Sequence, residues 1–426
     1  MKSIFYVLSL IMTLSSAWGD DLLLLKAKAY VDVRTGKLIK PANILIEKGL
    51  IKDINPKSIA KNTPSVDLGE RILLPGLMDM HVHLDGNFSG NFDDIVYKES
   101  ASKGSIRAVR NAEKTLMAGF TTVRNVGQLH VTPELVNVAV AEASDNNWIK
   151  APRIFAAGHM ISITGGHGDL TMGMAEQYGE LGPTMGVVNG VDDAIKAVRY
   201  QIKHGAKVIK IAATAGVLSL EASVGAQQLS DEEMQAIVAE AHRHHIKVAA
   251  HAHGTKGIVA AVKAGVDSIE HGSMLDAKGI KLMKKKGVYL VATTGLVDEI
   301  AKNYDKMNPI MAAKAKFILP IAIKNVEKAI KAGVKIAMGT DAPLIHHGEN
   351  AKEIVALTHR GMSALAALQT ATINAADLLG VTDRGEIKKG MLADIIAVDE
   401  NPLKNIKTTE KVSFVMKGGV VYKNEK

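Results

Sequence analysis

Side chains of types that bind metal ions stand at or near the ends of five separate apolar runs in this chain. They are His81 and His83 in LMDMHVH, Lys210 in KVIKIAA, His251 in KVAAHAH, His271 in SIEHG and Asp341 in KIAMGTDA. A short hydrophobic run that ends at such a residue is typical of a buried strand whose end faces an active site. Several of these runs along one chain indicate that the ligands converge, which predicts a metal-dependent hydrolase.

Two histidine pairs have the spacing of a strand: His81 with His83, and His251 with His253. Residues i and i+2 of a strand face the same side, so both imidazoles of a pair can enter one cavity. A lone buried histidine is usually satisfied by a backbone carbonyl, but three strand ends that carry histidine favour a shared site. The chain has no cysteine, so its ligands are nitrogen and oxygen, which suit two Zn²⁺ ions, with Mn²⁺ or Co²⁺ as alternatives.

Lys210 is unusual because it lies within the apolar run VIKIAA, where an ammonium group is costly to bury. One explanation is structural: the side chain reaches solvent or an ion pair at the end of a strand. The functional alternatives are an amine of lowered pKa or a carbamate formed with CO₂, whose two oxygens could bridge two metal ions. The residues alone leave these alternatives open.

The order of apolar patterns predicts an α/β fold with a (β/α)8 barrel of the TIM type. Strand patterns alternate with helical segments, which predicts a parallel sheet, and eight such units form a barrel. The predicted strands are 73–80, 121–126, 153–157, 207–212, 247–250, 268–270, 288–292 and 335–338. One predicted helix begins at Ser230, where Glu233 completes a capping-box pattern, and another covers residues 254–264.

Both ends of the chain have the pattern of short strands broken by turns, and neither piece is large enough to form a core alone. We therefore expect residues 20–73 and 385–426 to pair into one small β-sandwich domain. Residues 74–384 would then form the barrel.

Residues 1–19 are predicted to be a secretory signal peptide. Lys2 supplies the positive start, residues 4–14 form an apolar run too short to span a bilayer, and Ala17 and Gly19 are the small residues before the cleavage point. We expect cleavage directly after Gly19 and a secreted or periplasmic protein; the alternative is a retained amino-terminal anchor helix. No later stretch is apolar over the length that a membrane span needs.

The formal net charge is +8, but the lysines are spread along predicted helical faces rather than clustered with aromatic residues. This distribution indicates a solvated surface and argues against a nucleic-acid-binding platform. The expected partner is a small-molecule or dipeptide substrate. A homo-oligomer is compatible with the chain, although no part of the sequence shows an interface.

The motifs around these residues resemble those of the metal-dependent amidohydrolase superfamily, and within it the branch of Xaa-Pro and Xaa-Arg dipeptidases, also called imidazolonepropionase-like amidohydrolases. The similarity covers nearly the whole mature chain, and the motifs are specific for the family but do not fix the substrate. They are LPGLMDMHVHL at residues 74–84, TTVRNVG at 121–127, GHMISITGGHGD at 158–169, HAHGTKGIVAAVKAGVDSIEHG at 251–272, GTDAP at 339–343, TINAADLLG at 372–380 and GEIKKGMLADIIAVDENP at 385–402.

The resemblance implies a role for each metal-binding residue. The two histidines of the first motif would bind the more buried metal with Asp341, and His251 and His271 would bind the second. Carboxylated Lys210 would bridge the two ions. Asp341 would also be the catalytic proton shuttle, which takes a proton from the activated hydroxide and passes it to the leaving amine.

On the substrate side, the resemblance implies that polar groups from loops hold a carboxylate of the substrate. The candidates are His167 in TGGHGD, His253 beside His251, and Arg124. Arg124 is the natural bidentate partner for a carboxylate, unless it pairs with an acid of a neighbouring loop. The alternatives for the histidines are that His167 only shapes its turn and that His253 orients His251.

Residues and resemblance together imply a dinuclear-metal amidohydrolase that cleaves an amide or peptide bond beside a free carboxylate, in dipeptides or N-acyl amino acids, including aromatic ones. Hydrolysis of a cyclic amide is the enzymatic alternative. Two other classes stay open: a non-catalytic, metal-free binding protein, which would not need two metals per chain, and an isomerase or lyase with a Schiff base at Lys210, which borohydride would trap.

Overall fold

The computed structural model describes residues 22–87, 98–219, 221 and 223–425 of the 426 in the chain. The predicted signal peptide, residues 1–19, lies outside the described residues. The described part is mixed α/β, and its strands belong to four sheets. The strands are β1 (Leu23–Ala27), β2 (Ala29–Asp32), β3 (Lys37–Ile39), β4 (Ala42–Glu47), β5 (Leu50–Ile54), β6 (Ser65–Asp67), β7 (Ile72–Pro75), β8 (Leu77–Val82), β9 (Phe120–Asn125), β10 (Arg153–Ala156), β11 (Val208–Ala212), β12 (Lys247–Ala252), β13 (Ser268–His271), β14 (Tyr289–Val291), β15 (Ile395–Val398), β16 (Phe414–Lys417) and β17 (Val420–Asn424).

Two of the sheets are built from the ends of the chain. One has the order β5-β4-β1-β6, and the other, β17-β16-β15-β7-β2-β3, combines strands from both ends. Leu25 and Ile44 of the first sheet share one buried cluster with Leu73, Ile395 and Phe414 of the second. Each chain end therefore supplies part of a core that the other end cannot form alone, as the two separated strand patterns predict.

The other two sheets are parallel and have the orders β10-β9-β8 and β11-β12-β13-β14. Every residue of β8, β9 and β11 is buried, as expected for parallel strands that are covered on both faces. The segment after β10 bridges β11, and residues 336–342 bridge both β14 and β8. Because parallel strands end on the same side, the residues at their carboxyl ends come together.

Helices follow most of the parallel strands. The predicted capping box is present at the start of the helix Asp231–Arg243: Ser230 Oγ accepts from the Glu233 N–H, and the Glu233 carboxylate accepts from the Ser230 N–H. In the part of the chain that the structure describes, no helix is both long and apolar enough to cross a membrane. The helices are α1 (Ala101–Met117), α2 (Val136–Asp145), α3 (Val191–Lys203), α4 (Asp231–Arg243), α5 (Thr255–Ala264), α6 (Ala277–Lys286), α7 (Thr294–Asn303), α8 (Pro309–Ala332), α9 (Lys352–His359), α10 (Ala364–Thr370) and α11 (Ile373–Leu379).

Two predicted strands differ from the structure. The predicted strand 73–80 is divided at Gly76 into β7 and β8, which belong to different sheets. Gly76 packs so closely on β9 that an added Cβ would lie 2.2 Å from the Thr121 hydroxyl. The predicted strand 335–338 pairs irregularly. Ile336 forms an isolated bridge with Leu290, and the Met338 carbonyl accepts from the Met80 N–H of β8, but the Met338 N–H is donated to the Thr370 carbonyl.

The shared terminal core predicts a large stability effect for Phe414→Ala. Phe414 is fully buried between sheets from both chain ends, so truncation should cost about 3–5 kcal/mol. The control is Ile106→Ala, since Ile106 is 73% exposed. Calorimetry should show a clearly lower unfolding temperature for the Phe414 variant alone; equal temperatures for the two variants would contradict this core.

Candidate metal centre and active site

The carboxyl ends of the parallel strands bring the predicted ligands to one point. The ring of His271 lies 5.1 Å from that of His81 and 4.8 Å from that of His251, measured between centroids. Asp341 Oδ1 lies 3.3 Å from Nε2 of His81 and 3.3 Å from Nε2 of His83. Side chains that are up to 260 residues apart in the sequence therefore share one buried space.

Three of these imidazoles have Nδ1 engaged by a neighbouring group. His81 Nδ1 donates to Glu270 Oε2 at 2.8 Å, and His83 Nδ1 donates to a backbone carbonyl at 2.8 Å. His271 Nδ1 is hydrogen-bonded to Thr293 Oγ1 at 2.9 Å. With Nδ1 occupied, Nε2 is the ring atom that could bind a metal, and the ring orientation is fixed.

Three residues of the centre adopt left-handed backbone conformations that ordinary side chains avoid. The φ angles are +68° at His271, +59° at Asp341 and +47° at Thr293. Each such residue costs about 1–3 kcal/mol and persists only where its surroundings hold it. Adjacent strand residues normally face opposite sides, and the positive φ of His271 lets it join Glu270 in the same interior.

Glu270 is the charged support of this centre. Its Oε1 accepts from the Arg124 guanidinium at 2.8 Å and from Ser268 Oγ at 2.5 Å, while Oε2 accepts from His81. Burial raises the pKa of Glu270, but Arg124 and His81 lower it more, so the pKa lies well below its ordinary value. The structure thus corrects the predicted substrate role of Arg124, which is buried and also donates to the Met80 carbonyl.

Asp79 ties the first ligand strand to the segment that carries Asp341. Its carboxylate accepts from the N–H groups of His81 and Thr340 at 3.0 and 3.1 Å, from the Thr340 hydroxyl at 2.7 Å and from the Asn350 amide at 2.8 Å. The sequence analysis missed this residue. Its position two residues before His81 on a strand, on the same face, was the available signal.

Lys210 is buried with its ammonium group in the centre. It is 1% exposed, and Nζ lies 3.5 Å from Nε2 of His81. Burial lowers the pKa of Lys210 to about 8, although Glu270 and Asp341 oppose the shift. This burial excludes the alternative of a lysine that reaches solvent, and the lowered pKa increases the neutral fraction of the amine near neutral pH.

The donor set fits divalent metal ions. Two groups of possible ligands are present. The ligand atoms of His81, His271 and Asp341 all lie within 4.8 Å of one another, and so do those of His251, His253 and His271. Burial holds the pKa of His251 and of His271 well below the ordinary value, so both rings are neutral. Nε2 of His251 is buried and has no hydrogen-bond partner among the described residues, which is costly unless a cation uses its lone pair.

A cavity with about 70 Å³ of water-accessible volume opens onto the centre. His167 and His253 both line it, and the His167 ring stacks on His251 at 4.0 Å between centroids. Burial lowers the pKa of His167 to about 4 and that of His253 to about 3, so both are neutral. The other walls are mainly apolar: Val217, Leu218, Ala292, Leu296, Val297, Ile300, Ile318, Leu319 and Ala322.

Comparison with known proteins agrees with this site. The chain matches the model of the Amidohydrolase family over residues 72–422. It is 35% identical over 413 residues to an ochratoxinase of Aspergillus niger, covering 92% of this chain and 83% of that protein. It is 25% identical over 410 residues to an imidazolonepropionase of Idiomarina loihiensis, covering 87% of this chain and 89% of that protein.

Among solved structures, the chain is similar to a Xaa-Pro dipeptidase with methionine bound in the active site. The TM-score is 0.90 at 38% identity, over 95% of this chain and 100% of the other. This chain belongs to the amidohydrolase family, and the resemblance predicted from its motifs is confirmed. The family and these relatives support a hydrolase that acts on amide bonds.

The support of His81 by Glu270 predicts that Glu270→Gln weakens metal binding. The glutamine side chain is uncharged and has one oxygen in place of two, so it cannot replace both carboxylate contacts, to His81 and to Arg124. The affinity for Zn²⁺ should therefore fall about 10- to 100-fold. Competition with a chelator measures this affinity. Glu240→Gln is the control, since Glu240 is a buried, ion-paired glutamate on α4; equal affinities in the two variants would contradict the role of Glu270.

Proposed function

We propose that this protein is a dinuclear zinc amidohydrolase. It cleaves the amide bond beside a free carboxylate in dipeptides or N-acyl amino acids that carry an apolar side chain. The observation that carries this proposal is the convergence of buried histidines, Asp341 and Lys210 beside a cavity with mainly apolar walls. The names of two relatives, an ochratoxinase and a Xaa-Pro dipeptidase, support the same class of reaction.

The proposal includes a (β/α)8 barrel over residues 74–384 and a β-sandwich domain from residues 20–73 and 385–426. The two parallel sheets, the bridges between them and the family match support this division. A signal peptide at residues 1–19 and a secreted or periplasmic location belong to the proposal on the sequence pattern alone. A homo-oligomer stays a prediction.

Two divalent cations, Zn²⁺ with Mn²⁺ or Co²⁺ as alternatives, would be held by the donors of six residues. These are His81, His83, Lys210, His251, His271 and Asp341. When bound, such ions polarise the amide carbonyl and lower the pKa of water, which is the chemistry that amide hydrolysis needs.

Lys210 would take part as a carbamate. Its neutral amine would form a nitrogen–carbon bond to CO₂ and release one proton, which leaves an anion with two oxygens. Its burial and its pKa of about 8 support this reaction because they raise the fraction of neutral amine. A carbamate would also replace a cation among neutral imidazoles with an anion that divalent cations stabilise.

Asp341 would be the group that moves the proton. Its Oδ1 faces His81 and His83 at the base of the cavity, where it can accept a proton from the attacking water and return it to the leaving nitrogen. His167 and His253 face the same cavity as neutral side chains. They can donate hydrogen bonds to the substrate carboxylate or to the oxyanion that develops at the carbonyl.

Hydrolysis of a cyclic amide is the second candidate, because an imidazolonepropionase is among the relatives of the whole chain. A buried amine of lowered pKa also suits a Schiff base, which borohydride would trap at Lys210 and which the carbamate proposal does not predict. A metal-free binding protein is opposed by the buried Nε2 of His251, for which the described residues offer no hydrogen-bond partner.

The experiment that tests the proposal is an assay of the mature protein against linear and cyclic amides. The linear set contains dipeptides and N-acyl amino acids with aliphatic, aromatic and charged side chains. We expect hydrolysis of linear substrates with apolar side chains, loss of activity on chelation and its recovery with Zn²⁺. Activity on cyclic amides alone, or activity that survives complete removal of metal, would overturn the proposal.

The apolar walls predict the side-chain preference. Ile300→Ala removes a methylene-rich contact from α7, so kcat/KM for an N-acyl aromatic amino acid should fall about 10-fold, within the range that apolar pocket contacts contribute. Activity on the matching N-acyl glycine should not change. The control is Ile310→Ala, because Ile310 lies on α8 and is 47% exposed; the same loss in both variants would refute an apolar subsite at Ile300.

A further inference from the structure

The apolar wall of the cavity is formed by three separate parts of the chain. Leu296 and Ile300 belong to α7, and Ile318 and Leu319 belong to α8. Val217 comes from the segment after β11 and packs with them in one buried apolar cluster. Residues 216–219 and 221 are called the Val217 segment here. Apolar packing alone is non-directional, so some other interaction has to fix how this segment sits on the helices.

Lys314 on α8 provides that interaction. The side chain is buried, and its ammonium group donates to three backbone carbonyls of the Val217 segment: Gly216 at 2.9 Å, Ser219 at 2.6 Å and Glu221 at 3.0 Å. An ammonium group has three donors, and all three are used here. Burial lowers the pKa of Lys314, and the negative charge of Glu221 partly opposes this shift. The three carbonyls and the Glu221 carboxylate therefore stabilise the buried ammonium group.

The same segment holds His167 in the cavity. Ser219 Oγ is hydrogen-bonded to Nδ1 of His167 at 2.9 Å, which leaves Nε2 for the cavity. The backbone of Gly216 packs closely against the His167 ring, since an added Cβ at Gly216 would lie 2.2 Å from the nearest ring atoms. Glu221 Oε1 accepts from the Gly216 N–H at 2.8 Å and so closes the segment on itself.

We propose that Lys314 is a positioning residue that fixes His167 over the metal centre by fastening the Val217 segment to α8. The inference deepens the proposed function and rests on it for the substrate. Lys314 is not among the residues that line the cavity. It acts through the segment, and its charge also helps to lower the pKa of His167 and of His253. Its loss should free the His167 ring from its stacking position on His251 and impair substrate binding more than the chemical step.

The first test needs no substrate. Hydrogen exchange is measured on the wild-type protein, on Lys314→Met and on Lys324→Met, a control at an exposed position of the same helix. We expect amides around Gly216 to exchange about 10-fold faster in Lys314→Met only, as expected when local opening becomes easier. Exchange equal to that of Lys324→Met would overturn the proposal, whatever the enzyme hydrolyses.

The second test is a double-mutant cycle between Lys314→Met and His167→Ala, with the dipeptide or N-acyl substrate that the wild type hydrolyses best. We expect Lys314→Met to raise KM about 10-fold with kcat nearly unchanged, and the double variant to resemble His167→Ala. Effects that multiply independently would show that Lys314 does not act through His167. Lys314→Arg, which keeps the charge, should raise KM less than Lys314→Met does.

The two tests separate the two hypotheses. If the wild type hydrolyses no amide, the proposed function fails, and the exchange measurement still decides whether Lys314 holds the segment. If Lys314→Met does not fold, Lys314→Gln, which keeps hydrogen-bond donors without the charge, takes its place in both tests.

Discussion

The burial of Lys210 is the constraint on which the rest of the site depends. An ammonium group without water is costly, and here it lies beside the Nε2 of His81 and forms no ion pair with an acid among the described residues. The negative charges of Glu270 and Asp341 partly offset this cost, because they raise the pKa of Lys210 while burial lowers it. A metal centre bridged by a carbamate, as proposed, would turn this unfavourable burial into a stabilising one.

The second requirement is rigidity at the ends of the strands. Left-handed backbone conformations at His271 and Asp341 turn their side chains inward, and conformations of this kind persist only when neighbours hold them. Glu270 orients His81, while Asp79 joins that strand to the Asp341 segment through Thr340. These supports lie within the same motifs as the predicted ligands without being ligands themselves, and they set the geometry in which the ligands meet.

The sequence predicted most of the fold because apolar runs, spacing and the Ser230 cap are local signals. It failed where a contact depends on distant residues. Arg124 was predicted from its type to hold a carboxylate, and the carboxylate that it holds is Glu270, 146 residues later. The period-two rule places Glu270 and His271 on opposite faces, so it could not foresee that a positive φ brings both inward. No motif marks Lys314.

The most direct test of the central claim is the metal content per chain, by elemental analysis, of wild-type protein and of Lys210→Met, both equilibrated with bicarbonate and Zn²⁺. The account predicts about two Zn²⁺ ions per wild-type chain, as two-metal hydrolysis requires, and the loss of at least one of them together with activity in the variant. One ion or none in an active wild-type protein, or two in Lys210→Met, would contradict it.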